Sequence, residues 1–169
     1  MKKISKILAN LSEKQKKWIT FGLVVFLSGL MLTIAICSSY GALGIPGDSG
    51  TTDEVAHIPS GYSYIKYLDY RLNPEHPPLA KALSGLSLVI HSGFNGFQDN
   101  WTWNAIDQWD AGWYFLYNAG NNPAQVLFWA RLPMMILMVG LGLFLFKWSK
   151  ELWGRKVGLF VLLLYSFYP

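Results

Sequence analysis

The sequence predicts an all-α membrane protein, a multi-pass helical bundle whose long first extracytoplasmic loop carries amphipathic interfacial helices. Three observations predict this class. Apolar residues make up 52% of the 169 residues and charged residues only 14%, below the roughly 25% of soluble domains. Two long apolar runs are flanked by clusters of basic residues. Eight Trp, nine Tyr and ten Phe suit a chain that contacts membrane interfaces.

The first apolar run, residues 18–37, is uncharged and predicts transmembrane helix 1. At about 1.5 Å of rise per residue it spans roughly 30 Å, the thickness of a bilayer core. The basic segment 1–17 and the length of the run favour an uncleaved anchor over a signal peptide, whose apolar region has about 7–15 residues. The single Cys37 excludes a disulfide framework and a cysteine-based metal site, and we expect its side chain to be buried.

Two further apolar runs follow near the other end of the chain. Residues 126–146 predict transmembrane helix 2, although Arg131 and Pro133 interrupt the run. A basic loop is expected at 147–156, and 157–169 is expected to begin a third span. A span needs about 20 residues, so we expect the chain to be the N-terminal portion of a longer protein. A third run that lies at the interface is the alternative.

The distribution of charge predicts the orientation of these spans. Ten of the fourteen basic residues lie in 1–17 and 147–156, whereas the loop 38–125 holds eight acidic residues and three basic ones. The positive-inside rule places the two basic segments in the cytoplasm and the loop on the outer side of the membrane, expected to be the plasma membrane. The net charge of +4 therefore predicts contact with membrane lipids and no nucleic-acid partner.

The loop 38–125 is too long to be a passive connector. Thr51 and Glu54 have the spacing of a capping box, which predicts a helix over 52–68. Pro59 is expected to bend this helix, because proline removes an amide donor and clashes one turn back.

The rest of the loop is expected to combine extended, apolar and aromatic stretches. Residues 68–78 are predicted to be extended, since residues before proline avoid the helical region. The apolar stretch 79–91 is too short to cross a bilayer and predicts an interfacial or re-entrant helix. The stretch 97–125 predicts either an aromatic belt at the headgroups, which we favour, or a platform for a sugar or lipid. Its aromatic residues are Trp101, Trp103, Trp109, Trp113, Tyr114 and Tyr117.

Charged residues concentrate at the start of the predicted helix. Asp53 lies in its first turn, where the helix dipole stabilises a carboxylate, and His57 shares its face. Three interpretations stay open: solvated surface charges, a zinc-protease motif in which Asp53 replaces the first histidine ligand, and a general base acting on a lipid-linked donor. The zinc motif is the least favoured, because it lacks one ligand.

Three segments in the same order carry a family resemblance: DEVAHIPSGYSYIKYLDYRLNPEHPPLAK, VLFWARLP and WSKELWGRKVGLFVLLLYSFYP. Together they resemble the N-terminal part of the dolichyl-phosphate-mannose protein mannosyltransferase superfamily, a glycosyltransferase family 39-like group with the C-type membrane fold. The resemblance covers 51–169. It implies inverting transfer of a hexose or pentose from a polyprenyl phosphate to a hydroxyl of a protein, lipid or glycan acceptor outside the cytoplasm. It also implies that this chain alone is inactive, since relatives have further spans.

The resemblance implies residue roles as well. Asp53 would be the catalytic base, with Glu54 beside it as the second catalytic residue. Glu75 lies where some relatives bind a divalent metal ion, the one candidate cofactor, and His57 is the second candidate ligand. Leu68 stands where relatives commonly have glycine. The implied substrate-binding residues are Glu75, His76, Arg131, Arg71 and Lys81.

A function of another class remains the alternative. The chain would then be a small membrane-anchored interaction or assembly protein without catalysis, whose charged loop binds a partner.

Overall fold

The structure, a computed structural model, describes residues 11–42 and 45–167. Apart from one two-residue antiparallel ladder, the regular elements of this part are helical, which confirms the all-α class. The elements are α1 (Glu13–Tyr40), β1 (Gly41–Ala42), β2 (Ile45–Pro46), α2 (Thr52–Lys66), α3 (Pro78–His91), α4 (Trp101–Ala105), α5 (Gln108–Trp113), a π-helical turn (Tyr114–Asn118), α6 (Pro123–Trp153) and α7 (Arg155–Phe167).

Two of these helices, α1 and α6, are long and apolar enough to cross a membrane. The predicted spans 18–37 and 126–146 lie within them. The segment 147–156, predicted to be a basic loop, is helical up to Trp153, because residues 147–153 contain neither glycine nor proline. Gly154 has a φ of 88°, the left-handed conformation that commonly ends a helix. Residues 155–167 of the third apolar run are also helical.

The chain folds into two compact units. One consists of the described residues up to Thr33 together with those from Met138 onward. In it, the second half of α6 and α7 form a hairpin: a Cβ on Gly158 would lie 2.9 Å from the carbonyl oxygen of Phe146. The Tyr165 hydroxyl donates to the Met138 carbonyl at 3.1 Å.

The other unit, Ile34–Leu137, contains the acidic motifs. Its helices meet with their backbones in contact. A Cβ on Gly85 of α3 would lie 1.9 Å from the carbonyl oxygen of Gly61 in α2. A Cβ on Gly112 of α5 would lie 1.8 Å from the carbonyl oxygen of Val55 in α2. Only glycine fits at such distances, so these glycines fix how α3 and α5 pack on α2.

A core of apolar and aromatic side chains fills this unit. Helix α2 contributes Ile58 and Tyr62 to this core, both buried, and the partly buried Val55 packs against it. Trp103, predicted to belong to an interfacial belt or platform, is buried in this core instead. Its neighbours in the aromatic stretch include exposed side chains: Trp101, Trp109, Trp113 and Tyr117.

The capping box at the start of α2 is confirmed. The Thr51 hydroxyl accepts a hydrogen bond from the Glu54 amide at 3.4 Å, and the Glu54 carboxylate accepts one from the Thr51 amide at 2.9 Å. Pro59 lies inside α2 without ending it.

Two further sequence-based expectations are wrong. The segment after α2 is not extended at its start: Leu68 has a φ of 55°, and the Asp69 amide donates to the Ser63 carbonyl at 3.3 Å, as in a helix C-terminal turn. Cys37 is exposed, not buried. The reason is that α1 is apolar on all sides and leaves side chains such as Phe21 and Phe26 exposed as well.

Candidate functional site

Residues of α2, α3 and α6 line a cavity of about 150 Å³ in the unit Ile34–Leu137. Four residues singled out from the sequence meet there, although they are up to 77 positions apart: Glu54, His57, Lys81 and Arg131. The other lining residues are Ile58, Ala80, Ser84, Ala130 and Met134. Asp53, Arg71, Glu75 and His76 are not among the lining residues.

The strongest interaction in the cavity joins α2 to α6. The Arg131 guanidinium donates through Nε to Glu54 Oε1 and through Nη2 to Glu54 Oε2, both at 2.7 Å. It also donates to the carbonyl oxygens of Asp48 at 3.2 Å and Ser49 at 3.0 Å. The guanidinium has five N–H donors, so these four bonds satisfy most of its capacity within the chain.

The Glu54 carboxylate is held ionised by these bonds. Burial favours its neutral form, but the hydrogen bond from Arg131 and those from Thr51 outweigh burial and hold the pKa of Glu54 below its ordinary value. Its side chain is 25% exposed, and that of Arg131 16%. Glu54 therefore combines a capping role with a partly buried ion pair, and both of its oxygens are occupied.

Asp53, one residue earlier, has a different environment. It lies exposed in the first turn of α2. In the described ranges its carboxylate forms no salt bridge. Of the two adjacent acids, Asp53 is the one open to a molecule from outside.

Two histidines face each other beside the cavity. The rings of His57 and His76 lie edge to face, with their centroids 5.1 Å apart. Burial, followed by the charges of His76 and Lys81, lowers the pKa of His57. A neutral imidazole at His57 can donate one hydrogen bond and accept another.

Lys81 fixes the proline-rich segment that carries Glu75 and His76. Its side chain is almost fully buried, at 3% exposure. The ammonium donates to the Asn73 carbonyl at 2.5 Å, to the Asn73 side-chain oxygen and to the His76 carbonyl at 2.9 Å. It also lies 5.2 Å from the Tyr64 ring centroid. Burial lowers the pKa of Lys81, and the charge of Glu75 opposes that shift.

Glu75 is exposed but held by amide donors. Gln108 Nε2 donates to Glu75 Oε1 at 3.0 Å, and Asn73 Nδ2 lies 3.4 Å from the same oxygen. The hydrogen bond from its own backbone amide and that from Gln108 lower the pKa of Glu75. The sequence analysis missed Asn73 and Gln108, since neither belongs to a recognisable motif.

Arg71 lies away from the cavity lining. Its Nε donates to Asp69 Oδ2 at 2.8 Å, and its guanidinium carbon lies 4.8 Å from the Trp103 ring centroid. Arg71 therefore joins the turn after α2 to the aromatic core.

The predicted metal ligands are not gathered into a cluster. Within residues 11–42 and 45–167, no group of three or more His, Cys, Asp or Glu side chains is placed to hold a metal ion. Metal binding by Glu75 and His57 stays a prediction.

No family model, curated protein or solved structure matches this chain. The resemblance to the mannosyltransferase superfamily therefore stays a prediction, and any functional assignment depends on the residues of the site.

Proposed function

We propose that the protein is a multi-pass membrane glycosyltransferase that transfers a sugar from a polyprenyl phosphate to an acceptor hydroxyl on the outer side of the membrane. The observation that carries the proposal is the contrast between two adjacent acids. Asp53 is exposed and unpaired with any cation in the described ranges, whereas Glu54 is fixed by Arg131 in the lining of the cavity. In such a pair, the carboxylate of Asp53 is free to accept a proton, and Glu54 holds the start of the helix in place.

Two further features support the assignment. The site lies in the acidic segment between two helices long and apolar enough to cross a membrane, so a lipid-borne donor is a reachable substrate. The motif order that resembles the superfamily covers these same residues.

In the proposed reaction, Asp53 accepts the proton of the acceptor hydroxyl. The hydroxyl oxygen then forms a bond to the anomeric carbon, on the face opposite the phosphate. The bond between that carbon and the phosphate oxygen breaks, and its electron pair leaves with the polyprenyl phosphate. The configuration at the anomeric carbon is thereby inverted.

The other residues are assigned from their hydrogen bonding. Arg131 and Lys81 donate most of their hydrogen bonds within the chain, so we assign them to holding the site. His76 is exposed, and we assign it to contact with the departing phosphate. A hydrogen-bond donor near that group stabilises the charge that develops on it.

Transfer assays on Asp53 variants test the proposal. The protein is expressed from its complete open reading frame, and membranes are supplied with radiolabelled polyprenyl-phosphate hexoses and pentoses. Asp53→Asn removes the base, and we expect transfer to fall about 10²–10⁴-fold while membrane insertion is unchanged.

Asp110→Asn is the matched control, because Asp110 is also exposed in the first turn of a helix, α5. It should retain the wild-type rate. Near-normal transfer by Asp53→Asn would remove Asp53 from the base role. A wild-type protein that transfers no sugar from any donor of the panel would favour the non-catalytic interaction protein.

A further inference from the structure

The exposed carboxylate of Glu75 is held by residues from three separate segments. Gln108 is the first residue of α5, Asn73 lies in the turn after α2, and Lys81 lies in α3. Gln108 donates to Glu75 Oε1 at 3.0 Å and, through its own Oε1, accepts from Asn73 Nδ2. Asn73 in turn accepts from the Lys81 ammonium. Lys81, Asn73, Gln108 and Glu75 thus form one continuous hydrogen-bonded network.

Burial within this network shows which of its members are fixed. Asn73 is 2% exposed. Since the Asn73 side chain both accepts from Lys81 and donates toward Gln108 and Glu75, its amide orientation is determined by its neighbours. Gln108 and Glu75 lie at the exposed end of the network.

The backbone before Gln108 is strained. Ile106 ends α4 with a φ of 57°, a conformation that is rare for a β-branched residue. Asp107 then caps α5, its carboxylate accepting from the amides of Trp109 at 2.9 Å and Asp110 at 3.0 Å. Strain of this kind persists where the surrounding structure determines the conformation, and it concentrates at functional sites. Here the strained residue and the Asp107 cap lie directly before Gln108.

We propose that Gln108 is a positioning residue that orients the Glu75 carboxylate toward a hydroxyl-bearing sugar substrate, with Asn73 and Lys81 as its support. This inference rests on the proposed transferase function. A carboxylate with one oxygen fixed by amide donors stays exposed to a hydroxyl from solution, and a hydroxyl hydrogen bond to an ionised carboxylate is of the stronger kind.

With divalent cations removed by a chelator, the charge state of Glu75 provides a direct readout of this role, which is argued from the hydrogen bonds of the network. Because an amide donor favours the ionised carboxylate, removing Gln108 should raise the pKa of Glu75. Other groups acting on Glu75 stay in place in that variant. They are His57 and Tyr64 on α2, His76 beside Glu75, and Lys81 on α3.

The titration of Glu75 is followed by carbon-13 NMR of the glutamate carboxyl groups. The protein is labelled with ¹³C at the glutamate carboxyl, and the signal lost in Glu75→Gln is assigned to Glu75. In Gln108→Leu we expect this signal to titrate at higher pH than in the wild type. In Gln108→Glu, a near-isostere, it should titrate higher still, because a second carboxylate disfavours ionisation.

Transfer assays then connect the network to activity. Gln108→Leu should lower transfer roughly ten-fold, the effect of losing one hydrogen bond to a charged group. The same change in a Glu75→Gln background should lower it less than about two-fold, because Gln108 acts through Glu75. Gln125→Leu, an exposed glutamine at the start of α6, is the matched control and should change neither readout.

The two readouts separate the possible failures. An unchanged Glu75 titration in both Gln108 variants overturns the positioning role, whatever the transfer activity. A shifted titration in a protein that transfers no sugar from any donor overturns the proposed function while the network stands. Additive losses in the double variant overturn the claim that Gln108 acts through Glu75.

Discussion

Helices α2 and α3 differ from α1 in how far their apolar side chains are buried. In α2 and α3, Ile58, Tyr62 and Leu88 are buried in a common core. In α1, by contrast, Trp18 and Phe26 are exposed, as expected of a helix that is apolar on all sides. Helices α2 and α3 therefore pack against one another around a shared core, whereas α1 is long and apolar enough to cross a membrane and leaves its apolar side chains uncovered.

The two units of the chain also differ in how exposed their ion pairs are. In the unit Ile34–Leu137, Arg131 and Glu54 form a partly buried, bidentate pair. In the other unit, Glu13 pairs with Lys16 and Arg155 while its own side chain is 70% exposed. Exposed pairs contribute little to stability, so the first pair should affect stability far more than the second.

The contrast in packing predicts the largest effect. Gly85→Ala would place a Cβ 1.9 Å from the Gly61 carbonyl oxygen, so α3 must move away from α2. We expect a loss of about 3 kcal/mol in the free energy of unfolding, measured by thermal unfolding in detergent. Gly29→Ala in α1 is the matched control, because nothing lies within 4 Å of the added Cβ, and it should be neutral or slightly stabilising. Equal losses in both variants would contradict the difference in packing.

The ion pair predicts an effect of intermediate size. Glu54→Gln should lower the free energy of unfolding by about 2 kcal/mol at pH 7, because Arg131 loses its charged partner. The pKa of Glu54 is lowered in the folded state, so the stabilisation is complete above the ordinary glutamate pKa of about 4.3. It is lost as the pH falls through the lower folded-state pKa, so the difference between variant and wild type should shrink over that range.

Glu13→Gln serves as the comparison for this measurement and should cause no measurable change. A similar loss in both variants would show that the partial burial of the Arg131–Glu54 pair has no energetic importance.

The turn after α2 predicts the smallest effect and one of opposite sign. Leu68 is 80% exposed and has a φ of 55°, which glycine adopts without steric cost. Leu68→Gly should raise the free energy of unfolding by about 1 kcal/mol. Leu86→Gly, at an exposed position inside α3, should lower it by about 1 kcal/mol. Destabilisation by both changes would show that the left-handed conformation does not govern position 68.

Local signals predicted much of the fold correctly. The Thr51–Glu54 capping box placed the start of α2, because its hydrogen bonds connect residues three positions apart. Apolar length located both helices that could cross a membrane. The backbone conformation of Leu68 was predicted wrongly, because the left-handed conformation there is set by the end of the helix and not by the residue type.

The sequence predicted several residues of the candidate site but not the contacts between them. Glu54, His57, Lys81 and Arg131 were all selected from the sequence, yet nothing in it indicated that Arg131 pairs with Glu54. The sequence analysis missed Asn73 and Gln108, because a single amide side chain forms no recognisable motif. Their hydrogen bonds to each other and to Glu75 are visible only in the folded chain.

The sequence alone determined the helical class, the apolar segments and the cap of α2, because these depend on residues within a few positions of one another. Only the tertiary structure decided which of the two adjacent acids forms an ion pair and which is exposed without one. Glu54 meets Arg131 from 77 positions away, whereas Asp53, its neighbour, is exposed in the first turn of α2 and forms no salt bridge within the described residues. Such contacts depend on how distant helices pack against one another, which patterns among neighbouring residues do not specify.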